Sequence, residues 1–228
     1  MIKTDMHLHS SFSDGKNTPE EIVLEAIRLR YSTIAITDHV RRTTNWLEAL
    51  CEEISRLKRL FSSRITIYSG IEVKVTNLRG DVDACPDFFD KVDVTLGAFH
   101  RIPIGEDEYM SHDEIKRNKN TALSNWFTSM MYLLENDRVT IIAHPTAILK
   151  RNHIDVPYEM KSDIARKAAQ HGKTFEINIR YQVPDEEFLD LLKGYKVMMT
   201  FGSDSHSIEE MRALATSEWG SSVQWRYL

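Results

Sequence analysis

Short runs of β-branched and apolar residues alternate along the chain with longer stretches whose apolar positions recur every three or four residues, the pattern of a strand–helix repeat. The runs are Ile2 to His7, Thr33 to Thr37, Ile65 to Glu72, Val92 to Phe99, Val139 to Ala143, Thr174 to Ile179 and Val197 to Phe201, which makes seven strands. Between them, Thr18-Pro19-Glu20-Glu21 reads as a capping box with proline at the first helical position, and Ile22, Val23, Ala26, Ile27 and Leu29 follow on one face. Trp46, Leu47, Leu50, Ile54, Leu57 and Phe61 mark a second helix, and Trp126, Phe127, Met130, Met131 and Leu134 a later one. Such aromatic and methionine stripes at helical spacing read as core. Helices around 159–171, 185–193 and 207–216 complete the series. Regular alternation of this kind favours a mainly parallel sheet with helices outside it, and a barrel suits it best. With no fixed-period repeat and no low-complexity linker, residues 1–228 read as a single domain. Two segments stand apart. Arg101 to Asn120 is polar and long enough for a lid or rim, and the aromatic C-terminal stretch WGSSVQWRYL fits either a packed strand or an intersubunit contact.

Composition narrows the class. A chain of 228 residues with 42% hydrophobic and 28% charged side chains is the size of one large α/β domain. No apolar run approaches the ~20 residues that span a bilayer, and MIKTDMHLHS lacks the apolar core of a signal peptide, so the expectation is a soluble, cytoplasmic protein with no membrane partner. Cys51 and Cys85 stand apart without a CxxC and read as ordinary thiols. The formal net charge of −5 argues against non-specific binding to a nucleic-acid backbone, although a local patch such as Arg28 to Arg30 is compatible with it. The pattern does not specify an oligomeric state.

The chemistry lies at the strand ends. Six of the nine histidines, His7, His9, His39, His100, His144 and His206, fall at or just beyond an expected strand end, beside Asp14, Asp38, Glu72 and Asp204. In parallel α/β barrels the functional side chains gather at the carboxyl ends of the strands, where the loops share one rim. Residues two apart in a strand project to one side, so His7 and His9 can present two imidazoles to one ion. A lone histidine at a strand end is more often structural, but neither packing nor solvation explains six. The donor set is nitrogen and oxygen, which suits zinc, manganese or iron. Asp38, beside His39, either orients an imidazole or caps a loop. The sixth strand lacks a terminal histidine and offers Glu176, then Asn178 and Arg180. His112, His153 and His171 fall outside the pattern and are expected to face solvent.

The ordered motifs DMHLHS with FSDG, AITDH, GIE, GAFH, AHP and GSDSH resemble those of the PHP (polymerase and histidinol phosphatase) superfamily of metal-dependent phosphoesterases over nearly the whole chain. That resemblance implies a distorted seven-stranded, TIM-barrel-like (β/α) barrel with a trinuclear centre of divalent ions. One ion would take His7, His9, Glu72 and Asp204, a second Glu72, His100 and His144, and a third Asp14, His39 and His206. With all nine positions filled, the implied activity is hydrolysis of a small phosphate monoester by metal-bound hydroxide, held by His7, His9, Glu72 and Asp204. A GxSxG serine elbow and a glycine-rich phosphate loop are both absent from the sequence. Arg180, Lys150, Arg151 and Arg101 follow strand-end motifs and are the candidates for holding substrate phosphate, with surface salt bridges as the competing role. Histidinol phosphate or a nucleotide is a candidate substrate. The alternatives are a phosphodiesterase or exonuclease acting on DNA or RNA, which the acidic balance disfavours, and an inactive metal-stabilised interaction module, which the full ligand set disfavours.

Overall fold

A computed structural model of the chain describes residues 4–227. The elements run β1 (Thr4–Leu8), α1 (Pro19–Arg28), β2 (Thr33–His39), α2 (Leu47–Leu60), β3 (Thr66–Lys74), a 3₁₀ turn (Pro86–Lys91), β4 (Val94–Ala98), β5 (Pro103–Gly105), β6 (Glu108–Tyr109), α3 (His112–Arg117) and α4 (Lys119–Leu133). They continue with β7 (Ile141–Ala143), α5 (Ala147–Arg151), α6 (Tyr158–Gln170), β8 (Thr174–Asn178), α7 (Glu186–Gly194), β9 (Met198–Gly202), α8 (Ile208–Ala215) and α9 (Glu218–Tyr227). Seven strands form one parallel sheet in the order β1-β2-β3-β4-β7-β8-β9, and β5 and β6 make a separate hairpin. The seven are the expected ones, with Ile2 and Lys3 of the first lying outside the described residues.

The sheet curls until its edges nearly close. At the seam, His9 N–H donates to the Ser205 carbonyl (3.0 Å) and Asp204 N–H donates to the His7 carbonyl (2.9 Å). Buried Asp5 adds a carboxylate that accepts the Ser203 N–H at 2.9 Å, and burial pushes its pKa up to about 7. The result is a distorted (β/α) barrel with seven strands, whose carboxyl ends share one rim.

Strand periodicity sorts the side chains. On β2, β3, β8 and β9, Ile34, Ile36, Ile71, Val73, Phe175, Ile177 and Phe201 join the main core. The opposite phase carries Thr37, His39, Glu72, Glu176 and Asn178 into the barrel. Burying each large aliphatic or aromatic side chain is worth about 1.5–3 kcal/mol, so this outer layer, with fully buried Trp126, Leu50 and Ile54, supplies the stability that lets the inner layer be polar. Leu96, Ala98, Ile141 and Ala143 form a smaller inner cluster, with Met6 against it.

Strand β1 needs an irregularity to fit this scheme. Its pairing runs Thr4 to Thr33, Asp5 to Ile34, then Leu8 to Ile36, one extra residue against β2. Asp5 and Leu8 thereby share the outward phase, and the bulge lets Met6 and His7 both turn inward. His9 follows His7 inside.

The α1 capping box forms as expected, with the Thr18 side chain accepting the Glu21 N–H. Arg101 to Asn120 is not a loop throughout, because it folds into the β5–β6 hairpin, α3 and the start of α4. Ser111 caps α3 through a second capping box, a signal overlooked in the sequence. The C-terminal stretch, apart from Leu228 outside the described residues, lies in helix α9, which overturns the strand alternative; Trp219 and Val223 turn toward the core at its helical spacing. No helix among the described residues is long and apolar enough to cross a membrane.

Glu25 ties the ends of the helical layer together. Its carboxylate accepts from Arg28 in its own helix and from Arg212 Nε and Nη2 on α8, both at 2.9 Å. Hydrogen bonds from Arg212 and then Arg28 pull its pKa down to about 2. A folded-state pKa below that of the unfolded chain means the contribution is present above the ordinary glutamate value and is lost as pH falls toward 2. Glu25→Gln is therefore expected to lose about 1–2 kcal/mol in denaturant unfolding at pH 7, with the exposed side of the pair screened by water. The gap from wild type should narrow steadily in titrations run below about pH 4.5.

Candidate metal centre

All nine expected ligand positions converge on the carboxyl-end rim, and Glu72 stands at their middle. Its Oε1 lies 2.9 Å from His144 Nε2 and 3.5 Å from His100 Nε2. Its Oε2 lies 2.9 Å from His39 Nδ1, 3.4 Å from His7 Nε2 and 3.5 Å from His9 Nε2. Asp204 Oδ1 lies 3.1 Å from His9 Nε2 and 3.7 Å from His7 Nε2. Asp14 is more open, with Oδ2 3.4 Å from His206 Nε2 and 3.6 Å from His39 Nε2.

Donor atoms within 4.8 Å of one another fall into four overlapping groups: His7, His9 and Asp204; His7, Glu72 and His144; His39, Glu72 and His100; and His9, Asp14, His39 and His206. These overlap more than the three-way partition implied by the resemblance. His9 also faces the Asp14 side, and His39 also faces His100 across Glu72.

The donors fit divalent cations. His7 Nε2, both ring nitrogens of His9 and Glu72 Oε2 are buried and have no hydrogen-bond partner among the described residues. Buried polar atoms left unpaired are costly, and a cluster of nitrogen and carboxylate lone pairs aimed at common points is satisfied by cations.

Supporting residues orient this set. His7 Nδ1 lies 2.7 Å from Glu176 Oε1, so with that nitrogen donating, Nε2 is left for the site. The other oxygen of Glu176 accepts the His144 N–H. Thus the strand without a terminal histidine braces two neighbouring ones. Gly202 makes room for this contact, since a Cβ there would stand 1.8 Å from Glu176 Oε1. Asp38 lies in the outward phase of β2 and caps the loop after β1. It accepts from Ser10 N–H (2.8 Å), Ser10 Oγ (2.6 Å) and Ser13 Oγ (2.6 Å), which secures the turn carrying Asp14. His144 and Asp204 adopt positive φ, 28° and 54°, an uncommon conformation for residues with a side chain.

Charge follows from burial. Burial opposes ionisation of Glu72, yet the surrounding imidazoles, with His100 and His7 foremost and a hydrogen bond to His144, hold its carboxyl well below the usual range. Burial likewise opposes protonation of His7, but Glu176, Glu72 and Asp204 push its pKa well up. The field that favours a proton on that ring also favours a divalent cation beside it. Burial dominates at His100, whose pKa falls to about 4, leaving the neutral imidazole that a metal requires.

The expected substrate contacts separate. Arg101 lines a cleft of about 660 Å³ that opens beside His39, Glu72 and His100. Arg151 lines a recess of about 100 Å³ on the other side of His100, with His144 and Tyr181. Arg180 is held by Glu210 (2.5 Å), with Nε 4.0 Å from Asp204 Oδ2, and so braces the site. Lys150 Nζ donates to the Tyr181 and Gln182 carbonyls at 2.9 Å, away from the cleft. Sequence reasoning missed Phe12, Arg41, Trp46 and Lys74 in the cleft wall. Lys74 was discoverable, two residues beyond Glu72 on the same strand face, and Arg41 lies two residues beyond His39 of the TDH motif. His112, His153 and His171 are exposed, as expected.

The PHP domain family matches residues 5–180. This chain belongs to the PHP domain family. Asp204 and His206 lie beyond the matched PHP segment and reach its rim through β9 and the barrel seam. The DNA polymerase/3'-5' exonuclease PolX of Bacillus subtilis is 26% identical over 235 residues, covering 98% of this PHP chain and 38% of the relative. The chain thus spans well under half the length of that relative. Among solved structures, the HisK protein of Listeria monocytogenes superposes with a TM-score of 0.73 at 15% identity, covering 96% of this chain and 99% of the other. Histidinol phosphate phosphatase of Lactococcus lactis, solved with zinc, L-histidinol and phosphate, gives 0.64 at 22% identity, covering 93% and 92%.

Two substitutions separate orientation from ligation in this PHP barrel. Gly202→Ala should force Glu176 off His7, lowering stability by about 1–3 kcal/mol through the overpacked seam and reducing bound metal. Asp38→Ala should release the loop of Asp14 and lower metal content measured by elemental analysis, while circular dichroism remains that of the folded barrel.

Proposed function

We propose that this PHP domain hydrolyses a small phosphate monoester with divalent ions, zinc, manganese or iron, held at the barrel rim. His7, His9, Glu72 and Asp204 would hold one ion, Glu72, His100 and His144 a second, and Asp14, His39 and His206 a third. When bound, such ions polarise phosphoryl oxygens, lower the pKa of water toward ~7 and offset charge on the departing oxygen.

The observation that carries the monoester reading is the asymmetry of the two openings. A phosphoryl group at the rim has a cleft of about 660 Å³ on one side for a carbon skeleton and only about 100 Å³ on the other. A diester needs room for two organic arms. In the small recess the Arg151 guanidinium lies 5.9 Å from the Tyr181 ring centre, where it can hold a phosphoryl oxygen. Burial, then the charge of Asp204, pushes the Tyr181 hydroxyl up to about 12, so it stays a neutral donor at physiological pH. In the reaction, water oxygen bonds to phosphorus, the ester P–O bond breaks, and the leaving alcohol oxygen takes a proton.

The diesterase reading draws on the PolX relative, a DNA polymerase/3'-5' exonuclease. The two separate on p-nitrophenyl phosphate, its bis-ester and labelled single-stranded DNA. Monoester turnover should dominate; preference for the bis-ester or DNA would sink the proposal. His7→Ala and Asp204→Ala should each cut kcat/KM at least a hundredfold, roughly 3 kcal/mol of transition-state stabilisation, and lower bound metal. Chelation should also lower the melting temperature, because ions that bind only the folded barrel stabilise it.

A further inference from the structure

The wide cleft carries a charge that its role as a binding site for a plain monoester leaves unexplained. Arg41, Lys74 and Arg101 line it, on a chain whose formal net charge is −5. The Tyr109 ring gathers two of these cations, with Lys74 Nζ 4.8 Å and the Arg101 guanidinium 5.8 Å from its centre. Two positive groups brought to one ring repel each other, and an anion bound between them would offset that repulsion.

The nearby carboxylates are largely engaged. Asp83 lies 3.9 Å from Lys74 Nζ and 3.9 Å from Arg42 Nε, and also accepts the Arg42 N–H at 3.1 Å. Asp107 pairs with Arg42 Nη1 at 3.3 Å. Among the described residues, neither Arg41 nor Arg101 pairs with a carboxylate. Asp14 and Glu72, at the inner end, belong to the metal centre. Three cations, Arg41, Lys74 and Arg101, therefore line the cleft with one carboxylate, Asp83, outside that centre, and a cationic leaving group would be repelled.

We infer that the substrate is a phosphate monoester whose leaving alcohol carries a second anionic group, a phosphate or a carboxylate, held by Arg41, Lys74 and Arg101. This rests on the monoesterase reading above and deepens it. Phe12 and Trp46, with ring centres 5.8 Å apart, form the apolar wall along which the carbon skeleton lies. The scissile phosphate sits at the metals and the second anion at the outer cations.

Matched substrates test this on the metal-loaded protein. The pairs are glycerol 3-phosphate with 3-phosphoglycerate, which adds a carboxylate, and fructose 6-phosphate with fructose 1,6-bisphosphate, which adds a phosphate. Histidinol phosphate is the cationic comparison. At least one of the anion-bearing members should exceed its partner at least tenfold in kcat/KM, through KM, and the pair that does so identifies the second anion. Arg41→Gln and Arg101→Gln should remove most of that advantage while costing the partner substrate far less, with kcat little changed. Equal rates within both pairs, or a higher kcat/KM for histidinol phosphate, would overturn the inference while p-nitrophenyl phosphate turnover upheld the monoesterase. Absence of turnover on every monoester would remove both.

Discussion

One carboxylate within reach of five imidazoles is the constraint on which this site is built. Glu72 is almost fully buried, where an isolated charge is expensive, and it stays ionised because His7, His9, His39, His100 and His144 surround it from four other strands. Those imidazoles in turn depend on Glu72, since several would otherwise be buried nitrogens without a counter-charge. The barrel must close for either side of this arrangement to be tolerable. The carboxylate and the strand ends therefore stabilise each other.

The outer supports are of another kind. Glu176 and Asp38 stand behind the cluster, one holding His7 and the His144 backbone, the other holding the loop of Asp14. Gly202 leaves space for Glu176, and the bulge on β1 turns His7 and His9 inward. Backbone irregularity occurs here too, at the bulge and at the positive φ of His144 and Asp204. Large aliphatic residues on the outward phase of the same strands offset its cost.

Charge is distributed in layers. The surface is acidic overall, the rim gathers imidazoles around carboxylates, and the cleft wall beyond it is basic. Attraction of the phosphorylated substrate proposed above would therefore depend on a local field that the net charge conceals. The hairpin of β5 and β6 belongs to this wall, because its Tyr109 lies beneath Lys74 and Arg101.

Much was legible from the sequence alone. Strand and helix periods follow from local sterics and burial, so all seven strands and the main helices could be placed from residue type, and the six histidines marked the strand ends without coordinates. Ser111 to Glu114 carried a readable capping box that was passed over. The remaining features are contacts between residues far apart in the chain. That Asp38 caps a loop while Glu176 braces His7 depends on strand phase and barrel curvature, as does the sharing of His9 and His39 between donor groups. Lys150 and Arg180 have the same chemistry as Arg101 and Arg151, and only the neighbours each meets in three dimensions assign the first pair to structural contacts and the second to the cavities. Residue type determined which groups could bind metal and phosphate, because donor chemistry is local; closure of the barrel decided which of them face one another, because distance and burial are not.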